Sequence, residues 1–183
     1  MFLTWRLHGS LPKGRAYPAA GDSGQAFLAM DRLLDNAQVG PLYLRDPAIA
    51  EMVVEAMHFQ ERSMDQLELH HYVVMANHVH LLLTPRVEVP KLTQTLKRFT
   101  AREANRILGL TGQPFWQDES YDRIVRDEAE FDRIGRYIGN NPVKAGIVTT
   151  PEEFPWSSAG RVRNPPQVQT CTTPIEAPST SSS

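Results

Sequence analysis

The sequence predicts an α+β fold, an antiparallel β-sheet with helices packed on one side of it, a ferredoxin-like α/β sandwich. Three observations lead there. Strand-like and helix-like segments follow one another in the order β-α-α-β-β-α-β-α. Two of the strand segments are joined by a turn short enough to make a hairpin. The helical segments carry apolar residues at the spacing of a single buried face.

The first strand is predicted from Phe2 to Leu7, followed by a Gly/Pro/Ser-rich loop from Gly9 to about Gly24. A short helix is expected over Ala26 to Leu34. A second starts at Asp46-Pro47, where an aspartate N-cap precedes a proline in the first turn. Its apolar residues Ile49, Met52, Val53 and Ala56 recur at i, i+3, i+4 and i+7. Gln66 to Met75 reads as a strand centred on Tyr72, Val73 and Val74. A tight turn near Ala76-Asn77 leads into the next strand, His78 to Leu83, which Pro85 ends.

A longer helix is predicted from Pro90 to Leu108, with Leu92, Leu96 and Phe99 inward and Gly109 as its stop. Tyr121 to Arg126 reads as a strand. Asp127 and Glu130 have the spacing of a capping box. The helix they open carries Phe131, Ile134 and Ile138 inward and ends before Pro142. The chain is therefore expected to form one domain over residues 1–160, with a disordered Pro/Ser/Thr-rich tail over 161–183.

Composition is that of an ordinary globular protein, with 41% hydrophobic and 22% charged residues among 183. No apolar run approaches the roughly 20 residues that span a bilayer. The first residues lack the pattern of a secretory signal. The lone Cys171 offers neither a disulfide framework nor a cysteine metal site. A cytoplasmic protein with no membrane partner is expected. The formal net charge is −2, yet Arg86, Lys91, Lys97, Arg98, Arg102 and Arg106 face only Glu88 and Glu103, a local excess of four positive charges.

Three groups of residues can carry chemistry. In a strand, residues i and i+2 share a face, so His78 and His80 stand side by side while Val79 turns away. Such a pair suits two nitrogen ligands on one divalent metal, and suits equally a half-exposed polar face. Tyr137 and Asn141 lie one helical turn apart. A phenol beside a metal can attack phosphorus and an amide can add an oxygen ligand; alternatively, Tyr137 edges the core and Asn141 ends a helix before proline. Arg98, Arg102 and Arg106, with Lys97 alongside, form a ridge suited to DNA phosphates, or a solvated helix face. Trp116, in Phe115-Trp116-Gln117, is assigned to the core rather than to base stacking. His70 or His71 can approach the metal face across the hairpin, while His8 and His58 have no evident partner.

Five stretches, taken together and in order, resemble the single-tyrosine HUH transposases, and within them the REP-associated tyrosine transposases of bacteria. They are Phe2-Leu-Thr-Trp-Arg-Leu, VVMANHVHLLLTP (Val73 to Pro85), FWQDESYDRIVRD (Phe115 to Asp127), YIGNNPVKAGIV (Tyr137 to Val148) and FPWSSA (Phe154 to Ala159). The resemblance implies that His78 and His80 bind Mg2+ or Mn2+, that Tyr137 is the nucleophile and that Asn141 completes the metal set. It implies strand cleavage and rejoining on single-stranded, hairpin or palindromic DNA through a 5′-phosphotyrosine. It further implies DNA contacts in the Gly9–Gly24 loop, and leaves monomer and homodimer both open. One departure is visible, since relatives usually have proline where this chain has Ala76. Tyr121 is the rival nucleophile, on a strand-like run without a helical amide partner. The competing readings are a hairpin-binding protein that does not cleave and a metal-dependent hydrolase of small phosphoesters.

Overall fold

The computed structural model describes residues 1–11, 31–35 and 40–163. The Gly9–Gly24 loop beyond residue 11, the first part of the helix expected over Ala26 to Leu34, and residues 164–183 of the expected tail lie outside them. The described elements are β1 (Phe2–Arg6), α1 (described over residues 31–35), α2 (Pro47–Arg62), β2 (Leu67–Val74), β3 (His78–Pro85), α3 (Val89–Leu108), β4 (Tyr121–Arg123), α4 (Glu128–Gly139), α5 (Asn141–Lys144) and α6 (Ser158–Arg163).

The four strands form one antiparallel sheet in the order β2-β3-β1-β4. That is the ferredoxin-like arrangement, in which β3 sits between β1 and β2. The hairpin forms as its alternating pattern dictates, with a bulge in β2 between Leu69 and His71. Helix α2 starts where its sequence signals place it, the Asp46 side chain accepting a hydrogen bond from Ala48 N–H and Pro47 filling the first turn. Gly109 ends α3 in a left-handed conformation, φ 69°, which a residue without Cβ adopts freely.

Helices cover both faces of the sheet rather than one. Strand alternation sends Leu3, Trp5, Val79, Leu81 and Leu83 into a core with Ile49 and Val53 of α2 and Leu92 and Leu96 of α3. The intervening residues Phe2, Val73 and Leu82 join Tyr121, Leu34, Phe154 and Ile138 of α4 in a second core on the opposite face. Strands β1, β2 and β3 thus bury apolar residues on both sides, and one layer of helices cannot cover them.

Several local expectations shift for physical reasons. Phe99 is 43% exposed, because the inward face of α3 runs through Leu92, Leu96, Thr100 and Ala104 at four-residue steps. Strand β4 stops at Arg123, three residues early. Asp127 does cap α4 by accepting from Glu130 N–H at 2.7 Å, but the Glu130 carboxylate reaches back to Arg126 N–H and to Arg123 instead of to Asp127 N–H. Helix α6 runs to Arg163, past the tail boundary expected at 161, and Arg161 is tied to Glu51 at 2.5 Å and to Glu55 at 3.2 Å.

Candidate active site and metal centre

The two histidines project from β3 onto the sheet face that carries α4, and both are fully buried. Their rings stand 4.6 Å apart. Neighbours fix the outer nitrogen of each. His78 Nδ1–H donates to Asn77 Oδ1 at 2.7 Å, and Asn77 is itself oriented by donating through Nδ2 to Leu34 O at 3.0 Å. His80 Nδ1 is 2.7 Å from Thr4 Oγ1, its register partner across the β1–β3 ladder. Both Nε2 atoms are thereby directed inward, and an imidazole held in this way by its other nitrogen is prepared as a metal ligand.

Helix α1 lies over the same sheet face, its Leu34 sharing a core with Ile138 of α4. Asp31, buried, places Oδ1 3.0 Å from His80 Nε2 and 3.7 Å from His78 Nε2. Asp31, His78 and His80 offer three ligand atoms within 4.8 Å of one another, the one such group among the described residues. A divalent ion fits this set. His78 Nε2 is buried without a hydrogen-bond partner among the described residues, and nitrogen with carboxylate oxygen is a common donor combination for such ions.

Electrostatics agree with that donor set. Burial, aided by neighbouring His80, lowers His78 to about 3 and so keeps its lone pair available. Burial would raise Asp31, but the charge and hydrogen bond of His80, with smaller contributions from His78 and Lys144, hold its carboxyl below the ordinary value. Asp35, one turn on, is pushed up to about 7 by burial and by the charge of Asp31.

Tyr137 completes the cluster. Its hydroxyl donates to Asp31 Oδ2, its ring lies 5.7 Å from His80 and 6.3 Å from Phe2, and Lys144 Nζ sits 4.3 Å from the ring centre. Asn141 is reached differently from the expectation. Helix α4 ends at Gly139, and Asn141 opens the separate short helix α5, where Pro142 takes a first-turn position. It is fully buried, and neither its Nδ2 nor its Oδ1 is hydrogen-bonded among the described residues. The rival Tyr121 is 5% exposed and packs edge-on against Phe2 at 6.2 Å.

The other expected residues lie elsewhere. Arg98, Arg102 and Arg106 are exposed on α3, in the helical layer on the far side of the sheet from the histidines. Arg102 and Arg106 both pair with Glu103, at 3.0 and 3.2 Å. Lys97 is not part of an open ridge. Its ammonium donates to Gln117 O at 2.5 Å and Asp118 O at 2.9 Å, and burial lowers its pKa. His70 bonds Thr84 and packs on Phe131, while His71 meets Phe131 and fills the space that a Cβ at Gly135 would need; neither joins the metal group. His58, given no partner from sequence, contacts Glu61 and Tyr72 at 3.4 and 3.3 Å. Trp116 belongs to the core.

Sequence reasoning alone misses Asp31, Asp35, Thr4, Asn77 and Lys144. The one signal that points to any of them is Asp31-x-x-x-Asp35, a spacing that sets two carboxylates on one helical face, with Asp35 one residue past the expected helix end at Leu34.

Among known structures, the chain is similar to a REP-associated tyrosine transposase solved bound to a REP hairpin. The two share 20% identity over 89% of this chain and 78% of that one, with a TM-score of 0.51. At that identity the likeness establishes the fold. No curated protein sequence matches the chain. No helix among the described residues is long and apolar enough to cross a membrane. Residues 44–141, more than half of the chain, match the family described as "Transposase IS200 like". The matched span contains His78, His80, Tyr137 and Asn141, and on it we place the chain in the IS200-like transposase family.

Proposed function

We propose that the protein cleaves and rejoins DNA strands, with Tyr137 as the nucleophile, on single-stranded or hairpin DNA. The observation that carries this reading is the convergence of Tyr137 and the histidine pair on one carboxylate, the Asp31 group that takes the phenol's hydrogen bond and lies 3.0 Å from His80 Nε2. A core-edge tyrosine needs no such partner.

In the reaction, Tyr137 oxygen bonds to phosphorus and the bond from phosphorus to the 3′ oxygen breaks. The products are a 5′-phosphotyrosine and a 3′-hydroxyl. A free phenol ionises near pH 10, so a proton acceptor is needed at neutral pH. Asp31 Oδ2 takes the phenolic proton along the hydrogen bond it already accepts, and the departing 3′ oxygen takes one up. The energy of the broken ester is kept in the phosphotyrosine, so attack by another 3′-hydroxyl rejoins strands without ATP.

His78, His80 and Asp31 would hold a divalent ion, Mg2+ or Mn2+, with Asn141 as a further oxygen donor. When bound, such an ion supplies Lewis-acid polarisation of a phosphate oxygen. Lys144, beside the Tyr137 ring, adds positive charge where the phosphate must sit. The bound REP hairpin of the structural relative supports hairpin DNA as the partner.

The test is incubation of the full chain with end-labelled hairpin DNA carrying single-stranded flanks, with Mg2+ or Mn2+, followed by a denaturing gel. A protein–DNA adduct that survives denaturation and maps to Tyr137 is expected. Hairpin binding with no adduct under either ion would instead identify a binding protein that does not cut.

A further inference from the structure

We propose that the outer face of α2 is a docking surface for a second copy of this chain, with Phe59 of each copy seated in the groove between α2 and α3 of the other.

Helix α2 turns Ile49, Val53, Val54 and Met57 into the core it shares with the sheet. On its opposite side Glu51, Glu55, Phe59 and Arg62 are exposed and follow one another at steps of four, four and three residues, which makes them one stripe along the helix. Phe59 is 58% exposed in the middle of that stripe, and Met64 and Phe99 beside the same groove are 41% and 43% exposed. A single exposed apolar side chain is ordinary, but three large ones around one groove mark a surface that something covers.

The groove has a volume of about 610 Å3, and Met52, Ala56 and Leu96 give it apolar walls. Gln60 also lines it, 4% exposed, with Oε1 buried and without a hydrogen-bond partner among the described residues. A purely apolar ligand would leave that acceptor stranded, whereas a protein surface brings N–H and O–H groups to it.

The order of charges along the stripe points to this chain itself as the occupant. Glu51 and Glu55 precede Phe59, and Arg62 follows it. Two α2 helices packed antiparallel about a two-fold axis close to Phe59 set Glu55 of each copy opposite Arg62 of the other. Along the helix the two residues lie about 6 Å and about 4.5 Å from Phe59 on either side, an offset that an arginine side chain spans. Glu55 pairs with Arg161 at 3.2 Å yet keeps 53% of its side chain exposed, so it can take a second cation. The stripe is therefore complementary to itself, and an unrelated partner gives no reason for that order. The α2–α3 layer lies across the sheet from the histidines, so the interface does not reach His78, His80 or Tyr137.

Sedimentation velocity on the full chain without DNA tests the proposal. Interfaces of one helix face bind weakly, so the titration runs from about 1 to 200 µM. The wild-type protein is expected to pass from monomer to dimer over that range. Phe59→Asp should stay monomeric throughout with the Tm and far-UV circular dichroism of the wild-type protein, and Phe99→Ser repeats the measurement should the aspartate variant fail to fold. Glu55→Arg and Arg62→Glu should each weaken the dimer about 10-fold or more, because like charges then face each other. An equimolar mixture of those two variants should recover it, since one stripe is then basic and the other acidic. A wild-type chain that is monomeric throughout would overturn the proposal and leave the groove to residues 164–183 or to a different protein. A dimer that persists in the folded Phe59 variant would overturn this surface, and a mixture that stays monomeric would overturn the two-fold pairing.

Discussion

The Tyr137 hydroxyl donates a hydrogen bond to Asp31, and through that one carboxylate α4 and α1 are joined to the histidine pair on β3. Tyr137→Phe removes the bond and the nucleophilic oxygen together, while keeping the ring that packs against Phe2, His80 and Lys144. The expected outcome is complete loss of the covalent adduct, with hairpin affinity measured by fluorescence anisotropy changed by less than about threefold, which is under 1 kcal/mol. An adduct formed by the phenylalanine variant would move the nucleophile elsewhere.

Metal binding should be readable as stability. An ion that binds only the folded chain adds roughly 2.7 kcal/mol when present at a hundred times its Kd. His80→Ala removes a buried donor whose other nitrogen is held by Thr4. In that variant the rise in Tm on adding Mn2+ should vanish, together with metal-dependent cleavage. A Tm shift equal to that of the wild-type protein would exclude His80 from the centre.

What is legible in the sequence is local. His78 and His80 share a face because β-strands alternate, and Asp46 starts α2 because its carboxylate satisfies a free N–H. Those signals act within a few residues. Asp31 and the histidines are brought together only by tertiary packing, with helix α2 and strand β2 lying between them in the chain. Only the four-residue spacing of Asp31 and Asp35 hints at a paired role, and nothing in it points to the histidines. The split between Tyr137 and Asn141 is hidden for a related reason, since Pro142 reads as the end of one helix although it also sits comfortably in the first turn of the next. Phe99 reads as inward because the apolar spacing of α3 matches two adjacent faces, and the indole of Trp116, packed against Thr100, decides between them.

The arginine ridge and Lys97 should separate in a salt titration. Each phosphate that the protein ceases to neutralise lowers the slope of log K against log salt by about 0.7 for a single strand and 0.9 for a duplex. Replacing Arg98 and Arg102 by alanine is expected to flatten the slope for labelled hairpin DNA, and an unchanged slope would remove the ridge from the DNA surface. Lys97→Ala should leave the slope unchanged and lower stability instead, because its ammonium holds the carbonyls of Gln117 and Asp118. A flattened slope in the Lys97 variant would return that residue to the DNA surface.

The bond from Trp116 Nε1–H to Thr100 Oγ1, 2.8 Å and buried, fixes the 115–117 segment against α3. Thr100 also donates to Leu96 O at 2.7 Å, so its hydroxyl both gives and takes a hydrogen bond. Thr100→Val keeps the side-chain volume and leaves the indole N–H buried without an acceptor. The cost should be about 1–3 kcal/mol, read as a lower urea midpoint at unchanged m-value. Removing the donor as well, in Thr100→Val with Trp116→Phe, should cost less than the sum of the two single changes, because no polar group is then stranded. Both residues lie in the core on the face opposite the histidines, so adduct yield per folded molecule should match the wild-type protein. Additive losses would mean that the hydrogen bond contributes nothing beyond the packing of Trp116 on Trp5.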